Sequence, residues 1–307
     1  MSAAHASSTP NNRRPLVPTS GSRGRSWFRR LGLLLGAVLL VAAIIFVARQ
    51  HDVLARSFIA IRQPSAPHLF LLVACVLGNV VLTALMFSVL MSRYGKVRLI
   101  EMQALIGAAT LLNFLPLRPG LFGRIAYHKT INHIPAADTA KTIGQAIALS
   151  IAVAGCLALC LVVAAQFQLT LWAVLALPFA FLASGTMVGT IRIWALAGLI
   201  RYVEVFIWAA RYYAAFALLD YTISIEAALA FACISMIATL VPFFSNGLGL
   251  REWAIGLAAP LLTVAYQLEH GLTAELVNRA GELIVVLIAG LLGLAYLTHL
   301  RRTSRAE

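Results

Sequence analysis

The sequence predicts an all-α, polytopic integral membrane protein with about seven or eight transmembrane helices. The first observation is composition, since 61% of the 307 residues are hydrophobic and only 11% are charged, whereas soluble globular chains carry about 25% charged residues. The second is that charge-poor apolar runs recur between Leu31 and Leu300. About 20 apolar residues cross a bilayer as a helix. These observations exclude a water-soluble enzyme.

The chain is strongly basic, with a formal net charge of +13. We attribute this charge to membrane topology rather than to nucleic-acid binding, because Lys and Arg concentrate in the cytoplasmic segments of membrane proteins. The protein is therefore expected in the cell inner membrane, with both termini cytoplasmic. The arginines that precede the first apolar run and follow the last one are Arg13, Arg14, Arg23, Arg25, Arg29, Arg30, Arg301, Arg302 and Arg305.

Three parts of the chain are distinguished by composition. Residues 1–28 are predicted to be a disordered basic tail, residues 29–300 a single transmembrane domain, and residues 301–307 a short basic tail. The expected spans cover residues 31–48, 68–91, 143–165, 171–191, 203–219, 225–241 and 274–299. Three arginines are interpreted as flanking the span at 203–219; they are Arg192, Arg201 and Arg211.

The helix expected at about residues 253–266 leaves the number of spans open. If it crosses, the chain has eight spans and both tails are inside. If it is re-entrant, the chain has seven and the basic C-terminus lies outside. The positive-inside rule favours eight.

Two segments interrupt the apolar pattern and predict re-entrant or broken helices. Glu101–Leu115 is apolar but short, and it ends where Pro116 and Pro119 forbid a continuing helix. The second interruption begins after Val241. Gly120-Leu-Phe-Gly-Arg124 and Gly247-Leu-Gly-Leu-Arg251 share the pattern Gly-Leu-x-x-Arg. The match indicates either an internal inverted repeat, which in transporters marks a binding site, or a coincidence of common residues.

The interruptions also predict a site for an anionic headgroup. A broken helix exposes N–H groups that attract anions, and arginine binds phosphate through two parallel hydrogen bonds. Arg124 and Arg251 are predicted to be the anion-binding pair; the alternative is that the arginines of this region extend to the membrane surface and only mark topology. The predicted site residues are Asn113, Pro116, Arg118, Gly120, Arg124, Ser245, Asn246, Gly247, Gly249, Arg251, Glu252, Arg279 and Glu282.

The carboxylates near these motifs have two interpretations. Arg279 and Glu282 are three residues apart, so they can pair on one helix face, whereas the partner of Glu252 must come from elsewhere. These groups form either a polar lining that carries protons or a structural ion pair.

No motif for catalysis, metal binding or a cofactor is expected. The sequence contains no P-loop, no His-Glu-x-x-His and no Gly-x-Ser-x-Gly. The cysteines lie inside apolar runs without a metal-ligand partner and are interpreted as packing residues; they are Cys75, Cys156, Cys160 and Cys233.

The two interruptions resemble the lysylphosphatidylglycerol synthase transmembrane-domain family, which comprises flippase-like integral membrane proteins. The resemblance covers about residues 30–300 and is carried by Asn113-Phe-Leu-Pro-Leu-Arg-Pro-Gly120 with Arg124, by Ser245-Asn-Gly-Leu-Gly-Leu-Arg-Glu252, and by Arg279. Two positions depart from the family pattern. Leu121 stands where the family often has Glu, so no carboxylate is available there, and Asn246 replaces a usual glycine.

The resemblance implies a translocator that moves an anionic phospholipid or a lipid-linked intermediate across the inner membrane, rather than an enzyme. Membrane lipids are then the expected partners and nucleic acid is not. Assembly as a homo-oligomer and association with a lipid-modifying enzyme both stay open. The alternative function is a membrane-embedded enzyme or accessory subunit of lipid, polyprenyl-phosphate or hopanoid metabolism. The two differ in whether a lipid changes leaflet or changes chemically.

Overall fold

The computed structural model describes residues 65–115, 118–241 and 245–303, together with positions 38, 40–42 and 44–45, which are helical. Most of the predicted first span, residues 31–48, lies outside the described residues. A 3-10 turn, Ser245–Gly247, precedes the eighth of the helices named here. The helices are α1 (Ala66–Met91), α2 (Leu99–Leu112), α3 (Pro119–Thr130), α4 (Ala136–Gln166), α5 (Leu171–Gly185), α6 (Arg192–Ala217), α7 (Ile225–Leu240), α8 (Leu250–Leu262) and α9 (Leu268–Thr303).

Helix length and surface character confirm the predicted fold class, an all-helical membrane protein. Four helices, α1, α4, α6 and α9, are long and apolar enough to cross a membrane, while α2, α5 and α7 are shorter apolar helices. Large apolar side chains cover the outer faces: Phe70 is 74%, Phe181 75% and Leu292 67% exposed. An apolar outer surface on helices whose backbone is internally bonded is the arrangement that a bilayer requires.

The observed helix bounds correct one interpretation of the sequence. The span expected at 203–219 belongs to α6, which begins earlier, at Arg192. Arg201 and Arg211 therefore do not flank this helix but lie within it, and both are buried. Their charges are compensated there, because Arg201 contacts Glu204 and Arg211 contacts Glu282. Paired charges of this kind are tolerated inside a membrane bundle.

The first interruption folds as a helical hairpin. Helix α2 has 14 residues, or about 21 Å of helix, which is less than the hydrocarbon thickness of about 30 Å. Helix α3 then runs back along it, so that Tyr127 near its end packs in one cluster with Leu105 in the middle of α2. The predicted break between the two helices is thus confirmed.

The second interruption forms a hairpin from α7 and α8. The far ends of the two helices meet, since the Tyr266 hydroxyl accepts a hydrogen bond from the Thr222 N–H at 2.7 Å and donates one to the Thr222 carbonyl at 2.8 Å. Helix α8, expected from the sequence at residues 253–266, therefore returns toward the beginning of α7.

The long helix α9 aligns both hairpins. Helix α8 packs on its first half, where Gly271 lies against Ala259. Helix α2 packs on its second half, where a Cβ at Gly293 would collide with the Ala104 carbonyl. Small residues allow such close approach between membrane helices. We call the turn between α2 and α3 the first hairpin tip and the turn between α7 and α8 the second hairpin tip. Both tips consequently lie beside the middle of α9.

Candidate functional site

The two interruptions meet through the side chain of Arg118. Its Nη2 donates hydrogen bonds to the main-chain oxygens of Thr239 at 2.9 Å and Val241 at 3.1 Å. These carbonyl groups lie at the end of α7, where a helix leaves oxygens without intrahelical partners. Arg118 therefore caps α7 and fastens the tip of the first hairpin to that of the second.

Both tips contain left-handed backbone. The φ angle is 48° at Arg118 and 48° at Asn246, and it is 71° at Gly247 and 78° at Gly249. Asparagine and glycine adopt these angles with little cost, but arginine does so rarely. The strained Arg118 conformation is held by the two hydrogen bonds to the α7 end, which makes this turn a candidate for function.

A buried ionic network lies between α6, α8 and α9. Arg251, which is fully buried, pairs through Nε with Glu275 and through Nη2 with Glu282 at 2.8 Å. Arg211 from α6 donates to the same Glu282 oxygen at 2.9 Å. Tyr212 donates to the other oxygen of Glu275 at 2.7 Å. Each of the two carboxylates is thus shared by several donors, which compensates its burial.

Glu252 and Arg279 form a second pair beside this network. Arg279 Nε donates to Glu252 Oε1 at 3.1 Å, and its Nη2 donates to the Asn246 carbonyl at 3.0 Å. The pairing of Arg279 with Glu282, expected from their spacing, is the looser one at 3.9 Å. Glu252 therefore finds its partner in α9, while Glu282 serves mainly Arg211 and Arg251.

A polar cavity of about 210 Å³ lies beside the two tips, and we call it the arginine cavity. Helices α1, α3, α4, α6 and α7 surround it, and three arginines line it with a single carboxylate residue among the described residues. Its formal balance is therefore two positive charges. Its charged and polar lining residues are Thr83, Asn113, Arg118, Arg124, Ser150, Arg201, Glu204, Thr239 and Asn246.

Arg124 has no carboxylate partner among the described residues. It is 7% exposed, and its guanidinium carbon lies 4.3 Å from the centre of the Phe87 ring. Within the part of the chain that the structure describes, Arg124 makes no salt bridge and its buried Nε has no hydrogen-bond partner. A buried, unpaired cation is costly, so this position is suited to an anionic ligand.

Glu204 supplies the negative charge of the arginine cavity. It accepts hydrogen bonds from Arg201 at 2.7 Å and from the Thr83 hydroxyl at 2.9 Å. It also faces a smaller adjoining cavity of about 110 Å³, which contains Asn79, a buried side chain without a hydrogen-bond partner among the described residues. The polar space thus continues past Glu204 into the bundle.

The structure divides the predicted site residues into distinct groups. Asn113, Arg118, Arg124 and Asn246 line the arginine cavity. Gly247 and Gly249 shape the second tip through their backbone. Arg251 and Glu282 belong to the buried ionic network, and Glu252 and Arg279 form the second pair beside it. Gly120 is buried at the first tip, the backbone of Ser245 belongs to the 3-10 turn, and Pro116 lies outside the described residues.

The structure separates the two arginines of the predicted anion-binding pair, whose role in binding stays a prediction. Arg124 and Arg251 follow matching motifs, but Arg251 is occupied by Glu275 and Glu282 and lines neither polar cavity. Three arginines line the arginine cavity, namely Arg118, Arg124 and Arg201, and Arg201 was expected instead to flank a span. The spacing of Arg201 and Glu204 inside an apolar stretch was the available signal, since charges within a span are functional candidates.

Comparisons with protein-family models, with curated proteins and with solved structures give no match. Among the described residues no group of three or more His, Cys, Asp or Glu is placed to hold a metal ion. The described side chains that line the arginine cavity give it an excess of positive charge.

Proposed function

We propose that this membrane protein translocates an anionic lipid, as the sequence resemblance implies. The observation that carries the proposal is Arg124, a buried guanidinium that lines the arginine cavity and has no carboxylate partner among the described residues. Phosphate matches the two parallel N–H groups of a guanidinium. A hydrogen bond between charged groups is worth about 1.5–3 kcal/mol. An anionic headgroup would thus supply the opposite charge that Arg124 lacks among the described residues.

Lateral access supports a lipid as the ligand. Ile147 lines the arginine cavity and is also exposed on the outer face of α4. The cavity therefore extends to the apolar surface of the bundle rather than being sealed within it. A headgroup could enter sideways while its chains stay in the hydrocarbon phase, which is the geometry that lipid translocation needs.

The two hairpin tips provide a physical basis for alternating access. Discontinuous helices that meet near the middle of the membrane recur in transporters, where one element rocks against another around the site. Here the contact between the tips depends on the hydrogen bonds of Arg118 to Thr239 and Val241. We expect headgroup binding at Arg124 and Arg201 to alter this contact, because Arg118 lines the same cavity.

Transport of fluorescent phosphatidylglycerol in reconstituted vesicles tests the proposal. Headgroup binding in Arg124→Gln should weaken about 10- to 150-fold because one charge-assisted hydrogen bond is lost, and transport should slow accordingly. Arg124→Lys should recover only part of the lost headgroup binding, because lysine keeps the positive charge but lacks the planar guanidinium that donates two parallel hydrogen bonds. Arg192, exposed at the beginning of α6, provides the matched control, and Arg192→Gln should transport normally.

Two results would count against a translocator. Wild-type transport in a normally inserted Arg124→Gln variant would remove the proposed role of the cavity. A chemically altered headgroup, detected by mass spectrometry of the extracted lipids, would instead favour a membrane-embedded enzyme.

A further inference from the structure

A second cavity adjoins Arg124 on the other side of α3. It has a volume of about 250 Å³ and lies between α2, α3 and α9, and we call it the hairpin cavity. Its walls are mainly apolar, with Leu105 and Leu112 on α2 and Leu294 and Leu297 on α9. Cavities with such walls bind apolar groups rather than water.

Arg124 is shared by the two cavities. It lines the arginine cavity together with Arg118 and Arg201, and it also lines the hairpin cavity. Because its buried guanidinium has no salt bridge among the described residues, an anion bound there would lie beside both cavities. An apolar chain attached to that anion could then extend into the hairpin cavity.

The hairpin cavity also reaches the exposed surface of α3. Gly123, on α3, lines it and is exposed. A chain could therefore enter through the gap beside α3 without threading through the protein. Arg301 also lines the hairpin cavity and adds a positive charge to it. Its guanidinium carbon lies 5.9 Å from the centre of the Tyr127 ring.

We infer that the hairpin cavity holds an acyl chain of the lipid whose headgroup binds at Arg124. This inference rests on the proposed function and narrows its substrate class to an anionic phospholipid, as opposed to a free phosphate. The chain gains packing contacts with α2 and α9 that an empty cavity would lack. Bilayer lipid is as apolar as leucine, so moving an acyl chain from the bilayer into the cavity brings no hydrophobic free energy. The cavity therefore favours a chain through its shape.

Gly123 offers a variant that blocks the hairpin cavity with little strain. A Cβ at this position would meet no atom within 4 Å, so leucine can be placed at this lining residue without displacing backbone. Gly144, on α4, is equally open and does not line the hairpin cavity. Gly144→Leu is therefore the matched control for Gly123→Leu.

Photo-crosslinking with phosphatidylglycerol that carries a diazirine in one acyl chain tests the inference. In vesicles, the wild-type protein should be labelled at Leu294 or Leu297 in addition to outer positions such as the exposed Phe181. Gly123→Leu should lose the α9 label and keep the label at Phe181, and Gly144→Leu should keep both. Absence of the α9 label from the wild type, or its persistence in Gly123→Leu, would overturn the inference.

A second arm separates a lipid from a soluble anion. Glycerol 3-phosphate has the charged headgroup chemistry without a chain, so it should bind the wild type and Gly123→Leu equally, whereas retained phosphatidylglycerol should fall only in Gly123→Leu. Equal retention of phosphatidylglycerol in both proteins would contradict the inference alone. Failure of the proposed function is a different outcome, namely wild-type transport by Arg124→Gln.

Discussion

Arg118 donates a hydrogen bond from Nη2 to the main-chain oxygen of Thr239 at 2.9 Å, and so joins the two interruptions of the chain. The hairpins that meet there approach from opposite ends of α9. The α2–α3 hairpin returns to the end of α9, near Arg301, and the α7–α8 hairpin returns to its beginning, near Gly271. Oppositely inserted hairpins are the arrangement expected of an inverted repeat.

This geometry predicts that the two hairpins open to opposite sides of the membrane. Single cysteines at Lys129, after the bulk of α3, and at Val264, after α8, should be labelled by impermeant reagents from opposite sides. Both positions are exposed. Each cysteine is introduced into a variant in which the native cysteines have been replaced; these are Cys75, Cys156, Cys160 and Cys233. Labelling of both positions from one side would contradict the paired-hairpin topology.

The hairpin geometry also predicts on which side of the membrane the two termini lie. Neither hairpin, α2–α3 or α7–α8, then counts as a crossing. If residues 31–48 and the shorter apolar helix α5 cross together with the four long helices α1, α4, α6 and α9, the number of crossings is even and both termini lie on the same side. A reporter fused at residue 307 should therefore report the cytoplasm, provided that residues 31–48 cross once. An external signal would require an odd number of crossings, as in the seven-span alternative.

Gly120 is predicted to be essential for the first hairpin. A Cβ there would fall on the Ala109 carbonyl oxygen and lie 2.6 Å from Asn113 Oδ1. Overpacking costs typically about 1–3 kcal/mol and occasionally more, and here the obstacle includes backbone. Gly120→Ala should lower the thermal stability measured by size-exclusion chromatography after heating. Gly123→Ala, with open space around its Cβ, is the control, and equal losses in both would refute the steric explanation.

The sequence could predict what depends on local pattern. Apolar runs placed α1 and α7 nearly at their observed bounds, and Pro116 and Pro119 placed the first break. Arg201 was not placed inside α6, because a charge ends an apolar run unless its partner, here Glu204 three residues later, is recognised. Nor could the sequence separate Arg124 from Arg251. Their motifs match, and only tertiary packing gives one of them carboxylate partners.

Arg124 and Arg251 should therefore respond differently to the same substitution. Arg251→Gln would leave Glu275 and Glu282 with a donor removed from a buried network, and breaking a buried pair costs about 3–5 kcal/mol. We expect it to reduce folded yield and melting temperature. Arg124→Gln removes an unpaired charge, so it should keep its stability and lose anion binding. A stable Arg251→Gln variant with impaired transport would restore the sequence-based pairing of the two arginines.

Glu204→Gln is predicted to tighten headgroup binding and slow turnover. Glu204 holds Arg201 at 2.7 Å, and it is the single carboxylate residue among the described residues that line the arginine cavity. Glutamine keeps the size and can still accept the Thr83 hydrogen bond, but it removes the charge that competes with the headgroup for Arg201. A charge-assisted hydrogen bond is worth about 1.5–3 kcal/mol, so half-saturation should occur at about a tenfold lower fraction of phosphatidylglycerol. The maximal rate should fall because release of the headgroup becomes slower.

Transport measured against the mole fraction of phosphatidylglycerol gives both the half-saturation point and the maximal rate. Glu226→Gln, at an exposed position at the beginning of α7, is the control. Weaker binding in Glu204→Gln would instead assign Glu204 the task of holding Arg201 in position for the headgroup.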